Sequence, residues 1–567
     1  MPQQQTIIPG KDAALENSIA SMQIKLSKLG FHIIEQSWLN PVANVWSVHI
    51  RDADCPLLFT NGKGASKKAA LASALGEFFE RLATHYFWAD YYFGDELANA
   101  GTLHYKNEKW FALDVDNKWP QGLLNKELLD FYDPDGELNP HNLVDINSAN
   151  RKRGICALPY TCVRSKQQVY FPLNIIGNLY VSNGMSAGNT REEARVQALS
   201  EIFERYVKFR IIAEGISLPD VPADVLQRYP KILAGIQELE TAGFSLLVQD
   251  ASLGGQYPVM AVTLLHPENQ GVYASFGAHP RFEVALERAL TELLQGRGLD
   301  ALNGFAEAGF DMDEISSPQN LETHFIDSSG IISWQFLRDT ADYPFSDWET
   351  PFHSTKEEYD WLLQRIHNEG NDIFISDYEE LGIYACRIIV PGLSEIYPVD
   401  DLVWENNNIG IDLRDDILKQ NKTVQDCDNL IKKIEALNLD DQHPVAALIG
   451  LPADKDSIFA DLRIAELMTL LALKINDRER VQEGCEWLLH FAQINPQRLK
   501  VYRCINTLLQ MDRMSQYGTA LEKLYGSDTL ENALSLLEGK DVFPLASDWK
   551  MHQRLMQAYA KICHPAF

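Results

Sequence analysis

Several features are missing from this 567-residue sequence, and each absence excludes something. The eight cysteines (55, 156, 162, 386, 427, 485, 504 and 563) form no Cys-x-x-Cys pair. Neither a zinc site nor a disulfide framework is signalled, and reduced thiols in the cytosol are expected. No run of about 18 apolar residues is present, which argues against a membrane-spanning helix. The opening "MPQQQTIIPGKDAALENSI" lacks the apolar stretch of a signal peptide. Positive charge is scarce: 50 Lys and Arg against 79 Asp and Glu, a net charge of −29. That argues against non-specific binding to nucleic acid or anionic membranes, though it leaves room for a local basic pocket. There is no Gly-x4-Gly-Lys-Ser/Thr loop; "NGKGASKK" (61–68) is glycine-rich and basic but lacks that spacing. What remains is an ordinary globular composition, 46% hydrophobic and 23% charged. The chain is long enough for about two to four domains.

One helix face is short of the long polar side chains that water usually meets. In "GASKKAALASALGEFFERL" (64–82) a turn of about 100° per residue puts Ala70, Ser73, Ala74, Glu77, Glu80, Arg81 and Thr84 on one side. Leu71, Leu75, Phe78, Phe79 and Leu82 fall on the other. A solvated face would account for the charges, with Glu77–Arg81 an i,i+4 pair contributing about 0.3–0.5 kcal/mol. Two alanines and a serine beside them suit something that approaches closely.

The same pattern recurs. "TREEARVQALSEIFERYVKFRI" (190–211) lies on the first stretch, and Ala194, Ala198, Leu199, Glu201, Phe203, Glu204 and Arg205 match Ala70, Ala74, Leu75, Glu77, Phe79, Glu80 and Arg81. "PRFEVALERALTELLQGRG" (280–298) shares the frame in part: Ala285, Ala289, Leu290 and Glu292 keep their places, and Gln295 replaces the second glutamate. Four residues before the first glutamate stand Ser73, Gln197 and Arg288 in turn. A solvated face has no reason to repeat in this way.

Five carboxylates brought together, Glu77, Glu80, Glu201, Glu204 and Glu292, would repel, and some would have to protonate. Arg81, Arg205 and Arg288, or divalent cations, could hold them ionised. All-oxygen ligands without His or Cys suit a hard ion such as Mg²⁺, and arginines beside them suit phosphate oxygens. Together they describe a nucleotide triphosphate site without a Walker loop. "NGKGAS" and "NGMSAGNT" (183–190) are glycine-rich turns into helix N-termini, where free N–H groups can take an anion. Ser66 and Thr190 also read as N-caps, Thr190-x-x-Glu193 as a capping box, and Pro280 as a first helical residue capped by His279. Glu193 is left open between cap and ligand contact.

These three segments resemble the nucleotide-binding segments of the YcaO family, and the resemblance covers about residues 1–405. In detail the sequence is similar to the stand-alone gammaproteobacterial members, accessory factors in methylthiolation of an aspartate in the twelfth small-subunit ribosomal protein. The resemblance implies ATP and Mg²⁺ as cofactors, with Glu77, Glu80, Glu201, Glu204 and Glu292 on the metal and triphosphate. It implies phosphate contacts from Ser73, Arg205 and Arg288, with Asn189 and Glu193 at the nucleoside or supporting the pocket. Lys11 and Ser18, in "PGKDAALENS", would complete the site. It also implies a homodimer, working with a radical-type methylthiotransferase and that ribosomal protein. Cyclising members activate a backbone amide oxygen with ATP; they end in a proline-rich tail, whereas this chain ends "KICHPAF".

The expected fold is α+β: a pseudo-symmetric core of mixed sheets and helices over 1–405, with site helices near 66–88, 190–212 and 280–297. Strands are expected within 151–163, 168–184, 244–266 and 382–399. "VDINSANRKRG" (144–154) reads as a surface connection. From about 406 helical periodicity predicts an all-helical, TPR-like domain over 406–567, dispensable for ATP binding but suited to docking. Cys563 and His564 are too isolated to make a catalytic pair. Three other readings stay open: an ATP-binding assembly factor without chemistry of its own, a peptide cyclodehydratase or thioamide-forming enzyme as the resemblance allows, and a scaffold whose glutamate-rich helices are salt-bridged packing.

Overall fold

The computed structural model describes residues 5–348, 351–491, 494–540, 542–543 and 547–563; His564 lies outside them. The chain opens with helix α1 (Leu15–Lys28) and an antiparallel meander of β1 (Ile33–Val42), β2 (Val45–Asp52) and β3 (Phe59–Gly64), which runs into helix α2 (Lys67–Ala83). Next come β4 (Lys109–Phe111), β5 (Ile155–Cys162), β6 (Gln168–Pro172) and β7 (Met185–Gly188), and β7 leads into helix α3 (Arg191–Glu214). A second meander, β8 (Ser245–Asp250), β9 (Val259–Leu265) and β10 (Val272–Ala278), leads into α4 (Phe282–Leu293). Then β11 (Phe374–Tyr378) and β12 (Tyr384–Ile389) complete a six-stranded sheet ordered β4-β5-β11-β12-β7, with β6 also on β5. Beyond residue 400 every regular element described is helical, ending in α5 (Lys550–Cys563). This is the mixed α+β core and helical C-terminal region that the sequence predicts.

Each site helix therefore follows a strand, and the repeated alanines are explained by that strand. Ala70 and Ala74 are fully buried, although the angular pattern puts them on the face of Glu77 and Glu80. A Cβ added to Gly62 would lie 2.0 Å from the Ala70 carbonyl oxygen and 2.4 Å from the Ala74 nitrogen. In the second meander a Cβ on Gly277 would lie 2.5 Å from the Ala285 oxygen and 2.3 Å from the Ala289 nitrogen. The Thr60 hydroxyl donates to the Ala74 carbonyl at 2.9 Å, and the equivalent Ser275 hydroxyl donates to the Ala289 carbonyl. What approaches the small-residue stripe is the preceding strand, and the glutamates project from the edge of that contact. Gly277→Ala and Gly62→Ala should each destabilise the protein by about 3 kcal/mol or more, because backbone atoms cannot yield as a side chain does. A thermal melt within a degree of wild type for either variant would contradict this packing.

The other elements differ from expectation in two informative ways. The stretch 168–184 is not one strand: after β6 the chain coils, including a π-helical turn at Ile176–Tyr180, before β7. A short apolar run does not separate a buried helical turn from a strand. The polar segment 144–154 is no mere surface connection, since Asp145, Asn147 and Ser148 are buried. Asn147 donates to the carbonyls of Trp88, Ala89 and Tyr91 at 2.7–3.1 Å, and Asp145 accepts from the amide and hydroxyl of Ser148 at 2.8 Å each. All eight cysteines are free and all but Cys563 are buried. Among the described residues no helix is long and apolar enough to cross a membrane.

Candidate functional site

Three helices, α2, α3 and α4, meet with their glutamates inward. Arg81 pairs with Glu77 at 2.5 Å, and its counterpart Arg205 pairs with Glu201 at 2.7 Å and 3.0 Å. Each guanidinium also lies over an aromatic ring: Arg81 is 5.3 Å from the centroid of Tyr86 and Arg205 is 4.4 Å from that of Phe325. Arg288 donates to the Ala278 carbonyl at 2.8 Å and to the Gln197 side chain, tying α4 to α3. Glu204 accepts from the Ala278 amide at 3.1 Å. Glu292 pairs with Lys63, which reaches in from β3.

The electrostatics are those of crowded carboxylates short of positive charge. Burial pushes the Glu80 carboxyl well above the ordinary range, and the neighbouring Glu201 and Glu77 push it further. Burial likewise raises Glu77, against the pull of Arg81, and Glu204, against that of Lys63. Lys63 is drawn down to about 8 by burial, with Glu204 opposing and Arg288 adding to the effect. Burial also lowers the Arg288 guanidinium from its usual value.

A second cluster forms where the N-terminal segment meets the start of α3. Lys11 pairs with Glu193 at 3.2 Å, the Asp12 amide donates to Glu193 at 2.9 Å, and the Asn189 amide donates to it at 2.9 Å and 3.0 Å. The Ser18 hydroxyl donates to the Asn189 side-chain oxygen Oδ1 at 2.7 Å. Burial would raise Glu193, but Lys11 and these N–H donors outweigh it and hold the carboxyl below its ordinary value. Thr190 does cap α3, while the Glu193 side chain turns to Lys11 instead of closing a capping box. Ser66 caps α2 as expected. Pro280 lies before α4, which begins at Phe282, and His279 accepts from the Arg281 amide at 3.0 Å rather than capping the helix. Ser73 is exposed, and no described hydrogen bond or ion pair joins it to either cluster.

The residues picked out in the sequence thus form two groups: Glu77, Glu80, Glu201, Glu204, Glu292, Arg205 and Arg288 in one, and Lys11, Ser18, Asn189 and Glu193 in the other. Lys63 is the member that sequence reasoning missed. "NGKGASKK" drew attention for its glycines, but strand alternation is what aims Lys63 into the glutamates. Among the described residues no three carboxylate, imidazole or thiol groups converge as a closed metal cage. Mg²⁺ does not require one, since it is commonly held by one or two carboxylates together with substrate phosphates and water. The donors fit that ion. They are all carboxylate oxygens, and the raised Glu80 carboxyl is short of positive charge.

Comparison with known proteins gives the same answer. The family model described as "YcaO cyclodehydratase, ATP- and Mg²⁺-binding" matches residues 61–394, and the YcaO cyclodehydratase C-terminal domain matches 410–565. The sequence is 53% identical over 575 residues to the Escherichia coli (strain K12) protein named ribosomal protein S12 methylthiotransferase accessory factor YcaO, covering 98% of each chain. It is 49% identical to a Haemophilus influenzae protein, covering 99% of this chain and 98% of that one. A solved YcaO from Methanopyrus kandleri, bound with AMPPCP and Mg²⁺, aligns with a TM-score of 0.41 at 18% identity, covering 68% of this chain and 93% of the other. Three glutamate-bearing helices on glycine-notched strands, matched by that family model over more than half of the chain, make this protein a member of the ATP- and Mg²⁺-binding YcaO family.

Proposed function

We propose that this protein is an ATP- and Mg²⁺-dependent accessory factor in β-methylthiolation of an aspartate of ribosomal protein S12, acting beside the methylthiotransferase. The observation that carries the nucleotide part is the set of five inward glutamates, from three helices, facing Arg81, Arg205, Arg288 and Lys63. In this reading Glu77, Glu80, Glu201, Glu204 and Glu292 hold Mg²⁺ at the triphosphate, and Ser73, Arg205 and Arg288 contact phosphate. Lys11, Ser18, Asn189 and Glu193 serve the nucleoside end. The bound ion supplies charge neutralisation. The arginines, forked and always charged, suit the phosphate oxygens. The target protein is suggested by the name of the Escherichia coli relative, to which half of the residues are identical along nearly the whole chain.

The metal requirement follows from charge. A triphosphate brought to carboxylates already pushed above their ordinary range needs a divalent ion between them. Calorimetric titration with ATP should show binding in Mg²⁺ and affinity at least tenfold weaker in excess EDTA. Equal affinity in both would leave the glutamates as salt-bridged packing.

A further inference from the structure

The chain after α4 is one-sided in charge. From 299 to 337 it holds seven Asp and Glu and no Lys or Arg. Two stretches of it lie side by side on backbone hydrogen bonds. The Gly309 amide donates to the Ile332 carbonyl and the Trp334 amide to the Gly309 carbonyl, each at 2.9 Å. A third bond, from the Val272 amide to the Ala306 carbonyl at 2.9 Å, joins the pair to the start of β10. Ile315, Ile332 and Phe336 are buried and anchor this ledge.

Two large rings stand on the ledge instead of entering the core. Phe310 is 82% exposed and Trp334 is 49% exposed. They stack, with 5.9 Å between centroids and 17° between planes. Glu307, Asp311, Asp313 and Glu314, on either side of Phe310 in the chain, are exposed too. Among the described residues no ion pair engages any of the four, and no cation lies over either ring. A rigid aromatic pair left in water is the kind of surface that interfaces cover.

Charge selects what covers it. A second copy of this chain would bring the same carboxylates against these. Nucleic acid and anionic lipid are repelled likewise. A basic polypeptide gains from both the rings and the carboxylates. Arginine fits better than lysine, because a planar, weakly hydrated guanidinium lies flat on a ring and keeps its edge N–H groups for carboxylates. The chain uses that pairing elsewhere: Arg153 lies 3.7 Å from the centroid of Trp110, and Arg365 lies 3.9 Å from that of Trp361. We infer that this ledge docks an arginine-bearing basic segment of a protein partner, with a guanidinium on the Phe310–Trp334 stack and neighbouring cations on Glu307, Asp313 and Glu314. The surface is separate from the nucleotide site. A Cβ on Gly215, the C-cap of α3, would lie 3.0–3.1 Å from Ser333 and Gln335, so the ledge sits at that end of the helix. Glu204 is about 16 Å back along the helix axis. A ribosomal protein, which meets RNA phosphates with Lys and Arg, is a partner of this kind, but the inference stands on the ledge and not on the nucleotide.

The test labels full-length protein with 5-fluorotryptophan, the Trp334 signal being identified by its loss in Trp334→Phe. The probe is a peptide of five Arg-Gly repeats, and five Lys-Gly repeats make the equally charged control. The arginine peptide should shift the Trp334 signal saturably and bind about threefold or more tighter than the lysine peptide. Phe310→Ala should weaken it about fivefold, as expected for a lost cation–ring contact. Glu307→Gln with Asp313→Asn should weaken it as well and flatten its salt dependence. Affinity should be the same in EDTA as with Mg²⁺ and ATP, so this inference and the nucleotide reading fail separately. Binding that leaves the Trp334 signal unmoved, or that Phe310→Ala does not weaken, would be general attraction to a chain of net charge −29 and would overturn the ledge. Equal affinity for the lysine peptide would overturn it too. An affinity that follows the nucleotide would move the contact to the glutamate cluster. A change of oligomeric state in Phe310→Ala, read by sedimentation, would make the ledge a contact between copies and end the inference.

Discussion

Deleting residues 550–567 should lower the melting temperature sharply and weaken ATP binding at least tenfold, although every candidate ligand residue lies before residue 300. The helical periodicity beyond 406 predicts a tail that can be removed without harm to the nucleotide site. The helices from Ile411 to Leu537 do build a core of their own. The last helix, α5, packs elsewhere: Leu555, Ala558, Tyr559 and Ile562 are buried in the same cluster as Phe78, Phe79 and Leu82 of α2. The Tyr559 ring lies 4.5 Å from Phe93 and 5.2 Å from Trp88, centroid to centroid. The Trp88 indole donates to the Leu555 carbonyl at 3.0 Å, and the Tyr559 hydroxyl donates to the Leu103 carbonyl. Losing three large buried side chains and the alanine removes on the order of 5 kcal/mol of apolar burial, and the Trp88 N–H loses its partner. The aromatic layer of Phe87, Trp88 and Phe93, which lies between α5 and Phe78 of α2, would then be open to water, loosening the support of the helix that must hold Glu77 and Glu80 in place. Leu555→Ala is the milder form and should cost about 2–5 kcal/mol. A protein ending at 549 with unchanged melting temperature and ATP affinity would show that α5 is only an appendage. A cut at 405 removes α5 as well, so it cannot by itself report on the helices between 411 and 537.

How much of this was legible in the sequence depends on which contacts are local. Glu-x2-Glu-Arg recurs because the site needs it, and that repeat revealed the pairing of α2 with α3. It also concealed a closer kinship of architecture. The first and third segments share a three-stranded meander, a hydroxyl at Thr60 or Ser275, and a glycine at 62 or 277, all lying in the strands before the helices. Helical spacing puts Ala70 and Ala74 on the glutamate side because it says which residues share a face, not what covers it. Strand alternation gives the side of β3 on which Lys63 stands, but its role follows from Glu292, more than 200 residues away, which no local pattern announces. The segment 144–154 looks like a surface connection in sequence because the partners of Asn147 are carbonyls at 88–91, which no local pattern announces.

Glu80→Gln should raise the melting temperature of the metal-free protein at neutral pH and weaken Mg²⁺-dependent ATP binding at least tenfold. Glu80 is the cleanest of the five for this purpose. Glu77, Glu201 and Glu292 each have a basic partner, and Glu204 accepts a backbone amide, so neutralising any of those also removes a favourable contact. Burial and the carboxylates of Glu201 and Glu77 hold Glu80 well above its ordinary value. The sign of the pH dependence follows by linkage. A carboxyl whose pKa is higher folded than unfolded binds more protons in the native state once the pH passes its unfolded value of about 4.3, so it costs stability increasingly as the pH rises. Below that value both forms are protonated and the cost vanishes. The advantage of Glu80→Gln over wild type should therefore be absent near pH 4 and grow toward neutrality. Using the difference between the two proteins cancels the buried histidines His85 and His279, whose lowered values push stability the other way in the same range. Mg²⁺ with ATP should reverse the order, stabilising wild type through bound ligand and the variant hardly at all. A variant that melts below wild type at neutral pH, or whose difference does not change with pH, would show that Glu80 is held by compensating charge in the native state and is not poised for a metal.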